Sequence, residues 1–402
     1  MRVSLSPQRP SASAPHRDAG SSSAPPLLAL GGARVILGGH MGAQGLAEPV
    51  VPSAASLFGP RAAYLAGPAG PLFVSDTGHH RLLVWSRAPE ADQTPADFVL
   101  GQPDFSREGR NAKAEANAAT LNVPTGIAAA DGVLAVADAW NHRILLWHGL
   151  PSRSNQPADI VLGQADFAGC LPNRGKELPG ADTLNWCYGV ALSEKRLLVA
   201  DTGNRRILVW NTIPTSHGAP ADLVLGQTDF VCRDENAGLE AGPVGMRWPH
   251  GIALAGGAVV LADAGNNRLM VWRRLPAVNG APCDFVIGQA DCQGLDHNRA
   301  AYYPTDASLN MPYGVAAFRG NTLVVADTAN SRLLGFDSAG LGAGASAIQL
   351  TGQQDFTDKG DNRWGQPLRD SLCWPYGIAA CGGTLVIADS GNNRVLLWEA
   401  AS

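Results

Sequence analysis

Six copies of one apolar–turn–apolar segment run through this 402-residue chain, and their spacing constrains the fold more than any single residue. They read LFVSDTGHHRLLVW from Leu72, LAVADAWNHRILLW from Leu134, LLVADTGNRRILVW from Leu197, VVLADAGNNRLMVW from Val259, LVVADTANSRLLGF from Leu323 and LVIADSGNNRVLLW from Leu385. In each, a run rich in Val, Ile and Leu meets a turn of Asp, Gly and Asn and then resumes, which is the pattern of a β-hairpin. The turn aspartates Asp76, Asp138, Asp201, Asp263, Asp327 and Asp389 fall 62 to 64 residues apart, a period that belongs to repeat architectures. Repeated hairpins of this kind predict a β-propeller.

The rest of each period supplies the two further strands that a blade needs. Upstream of the hairpins lies a segment of the type P-x-G-[IV]-A, as in VPTGIA from Val123, WCYGVA from Trp186, WPHGIA from Trp248, MPYGVA from Met311 and WPYGIA from Trp374. Downstream, a short run closes on Gly-Gln, as in DFVLGQPDF from Asp97 and DIVLGQADF from Asp159. The sixth hairpin ends near Trp398 with no fourth strand after it, while ARVILGG from Ala33 copies the closing strand with no hairpin before it. Pairing this segment with Val395 to Trp398 would close the ring and remove exposed strand edges. The expected architecture is all-β: a six-bladed β-propeller of four-stranded antiparallel blades, closed by an N-terminal strand added to the last blade.

The hairpin pattern apolar-x-apolar-A-D-x-x-N-x-R-[IV]-apolar-apolar-[WF], after P-x-G-[IV]-A, resembles the NHL repeat over essentially all of Ala33 to Trp398. The resemblance implies the propeller fold. It leaves function open, because the family spans enzymes, RNA binders and protein-interaction scaffolds, and a fold does not fix chemistry. The chain departs from the usual repeat in carrying about twenty extra residues between the fourth strand of one blade and the first of the next. These insertions are where its individuality is expected.

Residues 33–402 are therefore expected to form one propeller, preceded by a disordered Ser/Pro/Ala-rich tail over 1–32 whose composition buries too little surface to order itself. With 45% hydrophobic and 16% charged residues, the chain can fill a large core. No stretch of about eighteen apolar residues offers a membrane span, and the N-terminus lacks the apolar core of a secretory signal, so a cytoplasmic, monomeric propeller is expected. Seven cysteines without C-x-x-C spacing argue against structural zinc and for reduced, packed thiols. The net charge of −5, together with long loops of mixed sign, argues against a nucleic-acid partner, which would require a basic stripe.

Two polar sets repeat uniformly. Each turn aspartate is followed five positions later by an arginine, Arg81, Arg143, Arg206, Arg268, Arg332 or Arg394, with an Asn between them in five blades and His79 in the first. An active site is rarely copied six times, whereas a tight turn needs a carboxylate to accept backbone N–H bonds and an Asn or Gly for left-handed backbone. These residues are read as a structural turn motif. The Gly-Gln-x-Asp set, Gln102, Gln164, Gln227, Gln289 and Gln353 with Asp104, Asp166, Asp229, Asp291 and Asp355, is read as capping where a strand opens into a loop.

The informative ring is the one that varies. Thr125, Tyr188, His250, Tyr313 and Tyr376 stand just before the Gly of the first strand, with Trp186, Trp248 and Trp374 two residues earlier in three blades. First strands line a propeller's central channel, so these side chains should gather at its mouth as a concave surface of stacking faces and hydrogen-bonding tips. Tryptophan and tyrosine beside proline also wedge blades together, and both readings stand. The reading adopted is a binding scaffold, without cofactor or metal, that recognises a protein segment or small ligand on the loop-bearing face and channel mouth. The alternative, drawn from related propellers, is a metal-assisted lyase or hydrolase using His250 and a channel tyrosine. Against it, the channel position offers only one histidine and no carboxylate, where such zinc chemistry uses three protein ligands.

Overall fold

A computed structural model describes residues 24–39, 50–193 and 195–402. Its strands form six four-stranded antiparallel sheets. Blade 1 is built from Ala62–Leu65, Leu72–Asp76, Arg81–Trp85 and Phe98–Leu100, and blade 2 from Pro124–Ala130, Val133–Asp138, Arg143–His148 and Ile160–Leu162. Blade 3 comprises Cys187–Leu192, Leu197–Asp201, Arg206–Trp210 and Leu223–Leu225, and blade 4 Pro249–Ala255, Ala258–Asp263, Arg268–Trp272 and Phe285–Ile287. Blade 5 comprises Pro312–Phe318, Thr322–Asp327, Arg332–Asp337 and Gln349–Thr351. Blade 6 uses Pro375–Cys381, Thr384–Asp389 and Arg394–Glu399, and its outer strand is Val35–Gly38, paired antiparallel with Val35 opposite Leu397 and Gly38 opposite Arg394.

The core is not central but is distributed between blades. Six apolar clusters occupy the six blade-to-blade interfaces, including the one between blades 6 and 1, where Val35 and Leu37 meet Leu72 and Val74. Hairpin strands buried on both faces explain the near-continuous Val/Leu/Ile runs in the sequence, because each sheet packs against a neighbour on either side. All seven cysteines are unbonded.

Every hairpin turn is one short 3-10 segment followed by a residue in left-handed backbone: His80, His142, Arg205, Asn267, Ser331 and Asn393, with φ between 51° and 57°. Inside each turn the aspartate and arginine form a fully buried ion pair, with Asp Oδ2 accepting from Arg Nε at 2.6–3.0 Å. The second carboxylate oxygen accepts a backbone N–H from the residue that leads into the first strand, Phe58, Asn122, Asn185, Arg247, Asn310 or Cys373. The guanidinium spends its remaining donors on carbonyls of the insertions, for example Arg206 on Phe230, Gly180 and Thr183. Buried charge is tolerated only when it is paired and hydrogen-bonded throughout, and here it is.

The insertions are repeats in their own right. Each contains an Asn in left-handed backbone, Asn111, Asn173, Asn236, Asn298 or Asn362, whose side-chain amide pairs with the turn's Asn141, Asn204, Asn266, Asn330 or Asn392. Gln102, Gln164, Gln227, Gln289 and Gln353 each donate both to the turn's carbonyls and to an insertion carbonyl. The partner aspartates Asp104, Asp166, Asp229, Asp291 and Asp355 accept backbone N–H groups two residues on.

The boundary expected at residue 32 moves. Residues 1–23 of the expected tail lie outside the described residues, but 24–32 are packed, with Leu27 and Leu28 buried. The reason lies in blade 6. In blades 1 to 4 the indole of the third strand donates to a carbonyl of the loop that follows, as Trp210 does to Ala219. In blade 6 the corresponding indole, Trp398 Nε1, donates to Ala29 O at 2.8 Å. The two leucines supply the apolar surface that the preceding Ser/Pro-rich stretch lacks.

Candidate functional site

The backbone sets the axis before any side chain does. The glycine that follows each channel residue lies against the carbonyl of the next blade's channel residue. A Cβ on Gly126 would come within 2.5 Å of Tyr188 O, and one on Gly189 within 1.9 Å of His250 O. Gly251, Gly314 and Gly377 face Tyr313, Tyr376 and Arg61 in the same way. No side chain larger than hydrogen fits there without moving a strand.

On this frame the channel side chains converge. His250 is the hub, with ring centroids 4.9 Å from Tyr188, 4.5 Å from Tyr313 and 5.9 Å from Tyr376, while Tyr313 and Tyr376 stack at 4.3 Å. Arg61 lies over the rings of Tyr188 and Tyr376 at 5.4 and 5.0 Å. Together these five side chains separate a narrow inner channel from a wider bowl of about 710 Å³ on the turn-bearing face. Trp186, Trp248 and Trp374 stand in the bowl's wall, each more than a third exposed, along with Phe58 and Arg205.

Thr125 departs from the expected binding set. It occupies the ring position of blade 2 but is buried, and its hydroxyl donates to Tyr188 O at 3.0 Å. It lines the inner channel and not the bowl. Its place in the chemistry is taken by Arg61, one period upstream, where Pro60-Arg61 matches the Pro-x step of Pro124-Thr125 and Pro249-His250. Ala62 replaces the motif's glycine there, which hides the match from a search for P-x-G.

Two of the three bowl tryptophans, Trp186 and Trp374, stand on unusual backbone. Gly59, Val123, Trp186, Met311 and Trp374 all have φ between 49° and 56°, a region costly for a side chain larger than Asn. Each is held by a latch: its N–H donates to the side chain of the left-handed turn residue of the preceding blade. Val123 is held by His80 Nδ1 at 3.0 Å, Trp186 by His142 Nδ1 at 3.0 Å, Met311 by Asn267 at 2.8 Å, Trp374 by Ser331 at 3.2 Å and Gly59 by Asn393 at 2.8 Å. Trp248 is the exception. The residue in its latch position is Arg205, which has no acceptor; Trp248 is not left-handed, and its N–H goes to Asp263.

Electrostatics at the base are set by burial. His250 is pushed down to about 4, first by burial, and its Nδ1 lies 2.9 Å from Trp248 O, so it is a neutral ring donating to a carbonyl. Burial raises Tyr313 and Tyr376, which keeps both phenols protonated. The bowl's described lining contains two arginines and no Asp or Glu. Among the described residues, no three His, Cys, Asp or Glu side chains come together as metal ligands would. This arrangement can stack apolar or aromatic groups, donate hydrogen bonds and present positive charge.

Residues 121–145, the second blade's first strand and hairpin, match the NHL repeat. The chain is similar to the human (Homo sapiens) NHL repeat-containing protein 2, at 25% identity over 355 residues covering 82% of this chain and 44% of that protein. It thus spans less than half of that relative's length. Among solved structures, a Bacteroides thetaiotaomicron structural-genomics protein aligns with a TM-score of 0.49 at 14% identity, over 87% of this chain and 71% of that one. The WD40 β-propeller domain of Doa1 aligns with a TM-score of 0.46 at 9% identity, over 92% and 96%.

Proposed function

From the premise of a six-bladed β-propeller that carries a match to the NHL repeat and is similar to an NHL repeat-containing protein, we propose that this chain is a non-catalytic binding module whose bowl at the channel mouth takes a protein segment or a small ligand. One observation carries the reading: three partly exposed tryptophans, drawn from three blades, and a base of four aromatic rings and one guanidinium enclose one concave space of about 710 Å³. That lies within the roughly 300–1,000 Å³ of ligand sites, and aromatic anchors in a desolvated pocket are what dominate binding energies. The insertions around the rim, fixed to the turns by the Asn–Asn pairs, would form an outer contact zone for a larger partner.

The tryptophans make the test clean, because their side chains lie toward solvent and outside the blade-to-blade clusters. Trp186→Ala, Trp248→Ala and Trp374→Ala combined should leave the unfolding midpoint nearly unchanged while removing at least 90% of a partner captured by the wild-type chain in proximity labelling. Undiminished labelling by the folded triple variant would sink the proposal.

A further inference from the structure

We propose that the bowl is a carboxylate site, in which Arg61 receives the single negative charge of a ligand whose apolar or aromatic body lies against the three tryptophans. This inference rests on the binding reading above and specifies the chemistry it selects.

Six other guanidinium groups in this chain are buried, and all six are paired. Arg81, Arg143, Arg206, Arg268, Arg332 and Arg394 each face an aspartate at 2.6–3.0 Å. Arg61 is half-buried at the base of the bowl, yet no carboxylate pairs with it among the described residues. Its neighbours are the rings of Tyr188, Tyr313 and Tyr376. Cation–π contact offsets only part of the lost hydration of a guanidinium. The remaining cost is what a planar anion could relieve through two parallel N–H···O bonds, the geometry that suits Arg and carboxylate.

The second observation is the charge of the whole lining. A chain of net charge −5 presents here a wall with Arg61 and Arg205 and no acidic side chain among the described residues. Arg205 donates from one terminal nitrogen to Arg233 O, and its Nε is buried without a partner. Low-dielectric aromatic walls strengthen any such field and concentrate anions at the base. The neutral His250 adds no second cation at the base. One guanidinium among rings therefore matches one negative charge, and a phosphate dianion would carry excess charge into apolar surroundings.

The carboxylate could belong to a peptide C-terminus or to a small aromatic acid, and one experiment separates them. The full chain is equilibrated by dialysis with a random tetrapeptide library as free acids, with the same library as C-terminal amides, and with 3-phenylpropanoate; retained material is measured by mass spectrometry. We expect free acids or 3-phenylpropanoate to be held at least tenfold over the neutral amides, with the preference lost in Arg61→Met and only partly kept in Arg61→Lys. Retention of peptide acids identifies a C-terminal source, and retention of 3-phenylpropanoate alone a small-molecule source. Equal retention of acids and amides would overturn the carboxylate site and leave the binding bowl standing; retention of neither would overturn both. Inorganic phosphate displacing the acids at equal concentration would also overturn it. Should Arg61→Met fail to fold, the acid-to-amide ratio on the wild-type chain decides alone.

Discussion

Two rings of six circle the same axis, and they obey opposite rules. The turn ring carries Asp and Arg in every blade, all buried and joined by the same bonds. The channel ring carries Arg61, Thr125, Tyr188, His250, Tyr313 and Tyr376, four residue types over six blades. The turn side chains complete backbone hydrogen bonding for the first strand and the insertion, so any other pair would leave buried donors and acceptors unmet. Of the channel side chains, only Thr125 and His250 bond to the backbone, at Tyr188 O and Trp248 O. Uniformity thus marks where the fold depends on a side chain, and variety marks where it does not.

The sharpest way to break this contrast is to treat one ring as though it were the other. Arg206→Ala leaves Asp201 charged and buried with no cation, and should cost about 3–5 kcal/mol in denaturant unfolding; a loss below about 1 kcal/mol would show the pair to be dispensable. Next comes the seam between the rings. Gly189→Ala places a methyl 1.9 Å from His250 O and should cost about 1–3 kcal/mol by forcing blades 3 and 4 apart, whereas Tyr188→Phe beside it should cost under about 1 kcal/mol.

Acid should act on the latches. His142 is held near 4 by burial, against 6.5 for a free imidazole, and its Nδ1 must be unprotonated to accept the Trp186 N–H. A depressed value means that the stability it contributes is complete above about pH 6.5 and is lost as pH falls through about 4. His142→Asn, which keeps an acceptor, should flatten the fall in unfolding midpoint between pH 6.5 and 4 relative to wild type. The smallest expected effect tests the exception. Arg205→Asn gives blade 3 the acceptor it lacks, so Trp248 should turn left-handed like its counterparts, visible in a crystal structure, with a stability change of about 0.5–1.5 kcal/mol or less.

Much of this was legible, and the remainder was hidden for definable reasons. The hairpins could be read because a turn that needs Asp, Asn and Arg in fixed places writes them six times. The positions of Tyr188, His250, Tyr313 and Tyr376 followed from the step before the first strand's glycine. Arg61 escaped because Ala62 stands where the motif has glycine, although counting back 64 residues from Thr125 reaches it. Thr125 looked equivalent to the tyrosines, yet a short β-branched hydroxyl reaches the neighbouring carbonyl rather than the bowl. The insertion asparagines recur nine residues after each Gly-Gln glutamine, but the loop sequence around them varies and their partner lies in the turn about thirty residues on, so only the structure shows the pairing. The packing of 24–32 depended on an acceptor for Trp398, which no local pattern announces.

The contact of glycine against carbonyl around the axis has an evolutionary consequence. Because the bore is fixed by main chain, the six side chains that point into it are interchangeable inserts, and replacing one does not oblige its neighbours to re-register. A ring of this kind can explore new ligand chemistries one blade at a time, each step being nearly neutral for folding. The mixed set of one arginine, one threonine, one histidine and three tyrosines is the record such a history would leave.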